Sequence, residues 1–289
     1  MVSLTLASSG PPNLPQLAGY YSQLAGVLAG FSFAGLVALA TVRLGPENED
    51  EDISVRHSVA PLTSAFIALV ASSLDYAIVT GEVAGTPRVA ALQTIAGMGF
   101  SIAGITLVFS TLVLLSDLRH HVGSPAIRLL TNTSVLILPP VLVLLMWGGL
   151  RDHLGQKYGA QSNFVRADWI ALCALAVTLL AVIGFRVTSF RVPIALGRQV
   201  AALANTAALL AFLSLVGSTV LITFTTAEST ISDIVPISSL LLVTAFCIAT
   251  AYSADQFRAS LQGLPQPMPH DSRRAQAPAP GFPGRVTKA

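Results

Sequence analysis

Charge is what this sequence has least of. Asp, Glu, Lys and Arg together make up 10% of the 289 residues, against 53% hydrophobic residues and a mean hydropathy of +0.70. A water-soluble globule devotes about a quarter of its residues to charge, so this chain has too little to cover a hydrated surface. Cysteine is almost missing as well. Cys173 and Cys247 both fall inside apolar stretches, which excludes an extracellular disulfide framework and leaves them as small packing residues. Lysine occurs only at Lys157 and Lys288. The basic residues are scattered at the ends of apolar runs, so the net charge of +2 and the pI near 8.7 imply no nucleic-acid partner.

Histidine is sparse in a way that also excludes chemistry. His57, His120, His121, His153 and His270 all read as lying outside the apolar runs, which argues against haem ligation or a metal centre inside a helix bundle. No other cofactor is implied. There is no His-Glu-x-x-His, no Gly-x-Ser-x-Gly and no Gly-x4-Gly-Lys-Ser/Thr phosphate loop. Ser116 and His120 in "SDLRH" stand one turn apart, an arrangement that resembles the Ser-x-x-x-His element of seven-helix lipid hydrolases. The intramembrane histidine pair that would complete that zinc site is missing. The last apolar run has no lysine for a retinal Schiff base. The chain reads as non-enzymatic.

What the sequence does have is seven apolar runs of membrane-crossing length, about 20 residues or more. They cover roughly 20–42, 59–81, 89–116, 129–150, 168–186, 200–225 and 234–253. The expected fold is therefore all-α, a polytopic membrane helix bundle of seven transmembrane helices whose principal partner is the lipid bilayer. The division between the sixth and seventh runs rests on "TTAEST" and the acidic Glu228 and Asp233. Arg and Lys set the expected direction, because cytoplasmic connections carry the excess. Arg43, Arg56, Arg119, Arg128, Arg186, Arg191, Arg198 and the five basic residues after 253 fall on one side, twelve in all. Only Arg88, Arg151, Lys157 and Arg166 fall on the other. This places the N-terminus outside and the C-terminus inside. Trp147, Trp169, Tyr20, Tyr21 and Tyr252 sit near run boundaries, where amphipathic rings prefer the interface. The first run lacks a preceding positive charge and is too long for a signal core, so it reads as a retained helix.

The first cytoplasmic connection holds "PENEDED", whose five carboxylates (Glu47, Glu49, Asp50, Glu51, Asp52) repel one another and stay hydrated. The domain reading is a seven-helix unit over 1–253 and a Pro-rich disordered cytoplasmic tail over 254–289, first a plain flexible terminus and, as the alternative, a contact for a protein partner or anionic lipid. Arginine over lysine and abundant alanine fit a GC-rich bacterium, hence a bacterial plasma membrane. Oligomeric state is left open.

One carboxylate stands out. In "ASSLDYAIVTGE", Asp75 lies about 16 residues into the second run, or roughly 24 Å along a helix, shallow on the outer side of a core about 30 Å thick. Ser64, Ala68, Ala71, Ser72, Asp75 and Glu82 recur at helical spacing, so this small and polar stripe is expected to face the bundle. Gln23 and Gln93 reach similar depth and are the expected partners of Asp75, with Arg88 pairing to Glu82 or Asp75. Together they outline an outward-facing polar vestibule. Gly26, Gly30, Ala34 and Ala38 fall four apart and are expected to pack on a neighbouring helix, with a looser version in Gly97, Ser101 and Gly104. Pro139 and Pro140 withhold two amide donors in the fourth run, where a kink or local unwinding is expected. Two function classes follow. One is a small-solute or ion carrier, or a membrane sensor, working at Asp75; the other is a non-catalytic scaffold assembling through small-residue faces and the tail.

The orientation makes a direct prediction. A tag fused after Ala289 is expected to stay inaccessible to an impermeant label in intact cells; labelling without permeabilisation contradicts the assigned direction.

Overall fold

The computed structural model describes residues 13–43, 52–117, 124–159, 165–187 and 196–262. They form α1 (Leu14–Arg43), α2 (Asp52–Thr80), α3 (Pro87–Asp117), α4 (Ser124–Asn132), a π-helical turn (Thr133–Ile137), α5 (Leu138–Tyr158), α6 (Val165–Val187), α7 (Leu196–Phe224) and α8 (Ile234–Gln262), with no strand among the described residues. Seven stretches are long and apolar enough to cross a bilayer, α4 to α5 counting as one through the π turn. They coincide with the seven expected runs, and α7 and α8 are separate helices.

Several helices outlast their expected runs: α1 begins at Leu14 instead of near 20 and α2 at Asp52 instead of near 59. α5 continues to Tyr158 instead of ending near 150, and α8 continues to Gln262, taking in the first nine residues of the expected tail. Each added residue of an established helix gains a hydrogen bond, and "ADQFRASLQ" contains neither Pro nor Gly to stop it. Phe257 is buried in the core with Phe109 and Leu112, which holds this extension down. The rest of the tail, Glu47, Glu49, Asp50 and Glu51 of the acidic connection, and His120 lie outside the described residues.

α3 is the central helix. It packs against α1, α2, α5, α7 and α8, while α1 leans on α2 and α6 leans on α5 and α8. Lipid supplies no hydrophobic drive for helices to associate, so close fit must do so, and α3 carries the small residues that permit it: Ala90, Ala91, Ala96, Gly99 and Ala103, all buried. Its hydroxyls are absorbed locally. Thr94, Thr106, Ser110 and Ser116 donate to carbonyls one turn back at 2.6–2.9 Å, which leaves an essentially apolar rod. Outward-facing positions are apolar too, among them Val27, Phe31, Leu180, Phe212 and Phe224, the reverse of a hydrated surface.

The rotation of α1 differs from expectation. Ser22 Oγ donates to the Ser73 carbonyl at 2.9 Å and Ser73 Oγ to the Ser22 carbonyl at 3.0 Å, while Tyr21 stacks on Tyr76 at 5.2 Å between ring centroids. These contacts turn Ala18, Ala25, Ala29 and Ser32 into the bundle. Gly26 is left at the edge of that contact, where an added Cβ would lie 3.7 Å from Ser73 Oγ, and Gly30, Ala34 and Ala38 face the exterior. The expectation that this stripe packs on a neighbouring helix is therefore corrected. In α3, a Cβ at Gly97 would meet Met146 and Tyr76, Ser101 is buried, and Gly104 has no neighbour within 4 Å.

At Pro139 and Pro140 the chain neither breaks nor unwinds fully. The preceding residues widen into the π turn, whose last bond runs from the Leu138 amide to the Thr133 carbonyl. A wider turn accommodates rings that would otherwise press on carbonyls four residues back, and it concentrates the lost donors in one place. Ser134 and Val135 of this turn are buried.

Candidate functional site

The polar stripe of α2 faces the bundle, as its spacing implies. Ser64, Ala68, Ala71, Ser72 and Asp75 are all buried, and Asp75 has no exposed surface at all. Its partner comes from α7. Ser214 Oγ donates to Asp75 Oδ2 at 2.7 Å, and eleven residues earlier on α2, Ser64 Oγ donates to the Ala204 carbonyl. Both pairs advance together along the two chains, so α2 and α7 run parallel, stapled at two levels by serines.

Gly99 of α3 makes this approach possible. A Cβ there would stand 2.5 Å from Ser214 Oγ and 3.3 Å from Ser72 Oγ, so any side chain would swing Ser214 off the carboxylate. Asp75 is thus held where three helices meet. Ser218, one turn beyond Ser214, faces the same carboxylate without closing a hydrogen bond: Asp75 Oδ1 and Ser218 Oγ are both buried and unpartnered. An uncompensated buried polar atom costs about 1–3 kcal/mol, and a buried charge more.

The expected partners stand elsewhere. Gln23 is exposed, and Gln93 is half-buried with its Oε1 lacking a hydrogen-bond partner. Gln23 follows Ser22, which pairs with Ser73 near the level of Asp75, but it lies on the exposed side of α1; Gln93 is six residues along α3 from Gly99, the residue that stands against Ser214. Arg88 is committed to Glu82, which it grips with bonds of 2.7, 2.9 and 3.0 Å, and its other amine donates to the Thr225 carbonyl just past the end of α7. Glu82 lies beyond the end of α2, and both side chains are largely buried. The open vestibule expected around Asp75 is replaced by a closed, packed site.

A second cluster was invisible in the sequence because α5 was expected to stop before it. Asp233, just ahead of α8, accepts hydrogen bonds from Lys157 Nζ at 2.7 Å and Tyr158 Oη at 2.9 Å, and Lys157 also donates to the Ile231 carbonyl. His153, expected outside the apolar runs, lies in α5 and is fully buried; its Nε2 stands 3.7 Å from Asp233 Oδ1, beyond hydrogen-bond length. Nearby, Trp147 and Arg151 of α5 both donate to Asp168 of α6 at 2.8–3.0 Å, with the Arg151 guanidinium over the Trp147 ring. The α7–α8 connection is therefore held at both ends, by Arg88 at Thr225 and by Lys157 and Tyr158 at Asp233.

No family model matches the chain, and no match is found among curated proteins or solved structures.

Asp233 gives this clamp a pH dependence. Burial pushes its carboxyl up, but the hydrogen bonds from Lys157 and Tyr158 and the Lys157 charge outweigh it and hold it below the ordinary carboxylate range. A depressed carboxyl contributes stability that is complete above its unfolded value, about 3.9, and is lost as pH falls through its folded value. Because Asp233 is a third exposed, water screens the effect to a modest size. Asp233→Asn is expected to lower the thermal midpoint of detergent-purified protein at neutral pH and to shrink its further loss below about pH 4. A midpoint equal to that of the parent at neutral pH contradicts the clamp.

Proposed function

We propose that this chain is a multi-pass protein of a bacterial plasma membrane, N-terminus outside and C-terminus inside, that acts without catalysis as a carrier of a small solute or ion. The twelve-to-four bias of basic residues supports the direction. The observation that carries the function is Asp75. An ionisable side chain inside a membrane span is expensive to keep, and where it has no structural ion pair it marks a pathway for ions or protons. Among the described residues Asp75 has no basic partner, and the cation nearest in sequence, Arg88, is occupied by Glu82. It sits at a junction of helices packed on small residues, and its closed surroundings correspond to the occluded stage of a carrier cycle. Opening would separate α7, which packs chiefly on α2 and α3, from α8, which packs chiefly on α3, α5 and α6.

A second reading is supported by the outward placement of Gly30, Ala34 and Ala38. Small residues on the lipid-facing side of α1 permit close approach of a partner's helix, as a scaffold or partner subunit requires. The cytoplasmic tail would add a second contact.

Reconstituted vesicles separate the two. The carrier reading expects an imposed pH step or ion gradient to drive flux above that of empty vesicles, reduced at least tenfold by Asp75→Asn. Absence of flux under every gradient, together with a co-purifying protein lost on removal of the tail, overturns it in favour of the scaffold.

A further inference from the structure

We infer that Asp75, Ser214, Ser218 and Ser72 form a site for one small monovalent cation of the sodium type, which a proton displaces. The inference rests on the reading of Asp75 as the working group and names what it binds. The donor set is made of oxygen alone: one carboxylate and three serine hydroxyls brought together by α2 and α7 around Gly99 of α3. Hard oxygen ligands select alkali and alkaline-earth cations over transition metals. A single carboxylate neutralises a single positive charge, so a divalent ion would leave one charge uncompensated in a site without water-exposed surface.

Independent support lies in the two orphaned atoms. Most serines and threonines of this bundle spend their hydroxyl on a carbonyl of their own helix, as Ser72 does on Ala68 at 2.8 Å and Thr219 on Leu215 at 2.8 Å. Ser218 does not. Its oxygen and Asp75 Oδ1 are buried and both lack a hydrogen-bond partner, and Ser218 stands within reach of the carboxylate. A cation between them satisfies both.

Ser214 supplies the exchange. Its oxygen is 2.7 Å from Asp75 Oδ2 and 2.8 Å from the Ala211 carbonyl, yet a hydroxyl has one proton to give. With the cation bound, Ser214 donates to the carboxylate and Ala211 goes without. When the cation leaves, a proton takes its place on Asp75, the acid donates to Ser214 Oγ, and Ser214 turns its own proton to Ala211. One positive charge leaves as one enters, so the site stays neutral in both states. The titratable groups near Asp75 are Tyr76 on its own helix and Tyr21 on α1; α3 and α7 carry charged residues only near their ends.

The test is thermal unfolding of the full chain in detergent, followed by tryptophan fluorescence, in sodium, potassium or choline chloride at matched ionic strength. Sodium is expected to raise the midpoint above both other salts. Its apparent dissociation constant should rise about tenfold per pH unit lowered once the proton competes one for one. Ser218→Ala removes a hydroxyl that has no structural bond, so the protein folds and its sodium response weakens at least several-fold; Asp75→Asn loses the response. Equal midpoints in sodium and choline across pH, or a sodium response unchanged in both variants, overturn the inference. The carrier reading fails separately: sodium-dependent stability without flux removes the carrier and keeps the site, whereas Asp75-dependent proton flux with no sodium response removes the site and keeps the carrier.

Discussion

The Asp75 carboxyl has no exposed surface, no basic partner among the described residues and one hydrogen bond, and α2, α3 and α7 pack around it. Gly99 is bare so that Ser214 can reach it; Ser64 repeats the α2 to α7 staple at a second level; Tyr76, next in sequence, locks α2 to α1 through Tyr21. In a membrane, where apolar side chains gain nothing by leaving lipid, such polar and small-residue contacts decide which helices touch. The same contacts make the carboxyl's own state matter to the fold, because a change of charge at the junction of three helices changes the balance among all of them.

The ion pairs lie at the opposite extreme, at helix ends. Glu82 with Arg88, Asp168 with Arg151, and Asp233 with Lys157 all stand where α2, α5 and α7 finish and α3, α6 and α8 begin. Arg88 additionally caps a carbonyl left open by the end of α7, which helices leave unsatisfied by construction. A bundle tied at this end by charge and in its middle by serine has its α7–α8 link fixed at both ends, to Arg88 of α3 and to Lys157 and Tyr158 of α5.

Much of the architecture was legible in the sequence, because bilayer thickness imposes a length and a hydropathy on each crossing that few other constraints can imitate. The inward face of α2 was legible for a similar reason: small and polar residues at helical spacing leave one arrangement that hides them from lipid. The partner of Asp75 was not. Depth can be counted only roughly from a helix end and rotation about the axis not at all: Gln23 faces outward beside the Ser22–Ser73 pair, and Gln93 stands six residues from Gly99, the α3 residue against Ser214. Ser214 lies 139 residues away and carries no mark that separates it from the other serines of α7. The face of α1 misled in the same way. Spacing shows that Gly26, Gly30 and Ala34 permit close approach, but a serine pair and a tyrosine stack chose the adjacent face. His153 escaped notice because a helix that outlasts its apolar run carries polar residues into the core.

The central claim is that the Asp75 carboxyl is neutralised by whatever occupies its site, and infrared difference spectroscopy reads this without reference to transport. In sodium-free detergent at mildly acidic pH, the account predicts a carbonyl stretch of a buried, protonated carboxylic acid that disappears when sodium is added and is missing from Asp75→Asn. A protonated-acid band that sodium leaves unchanged, or one that persists in Asp75→Asn, contradicts it.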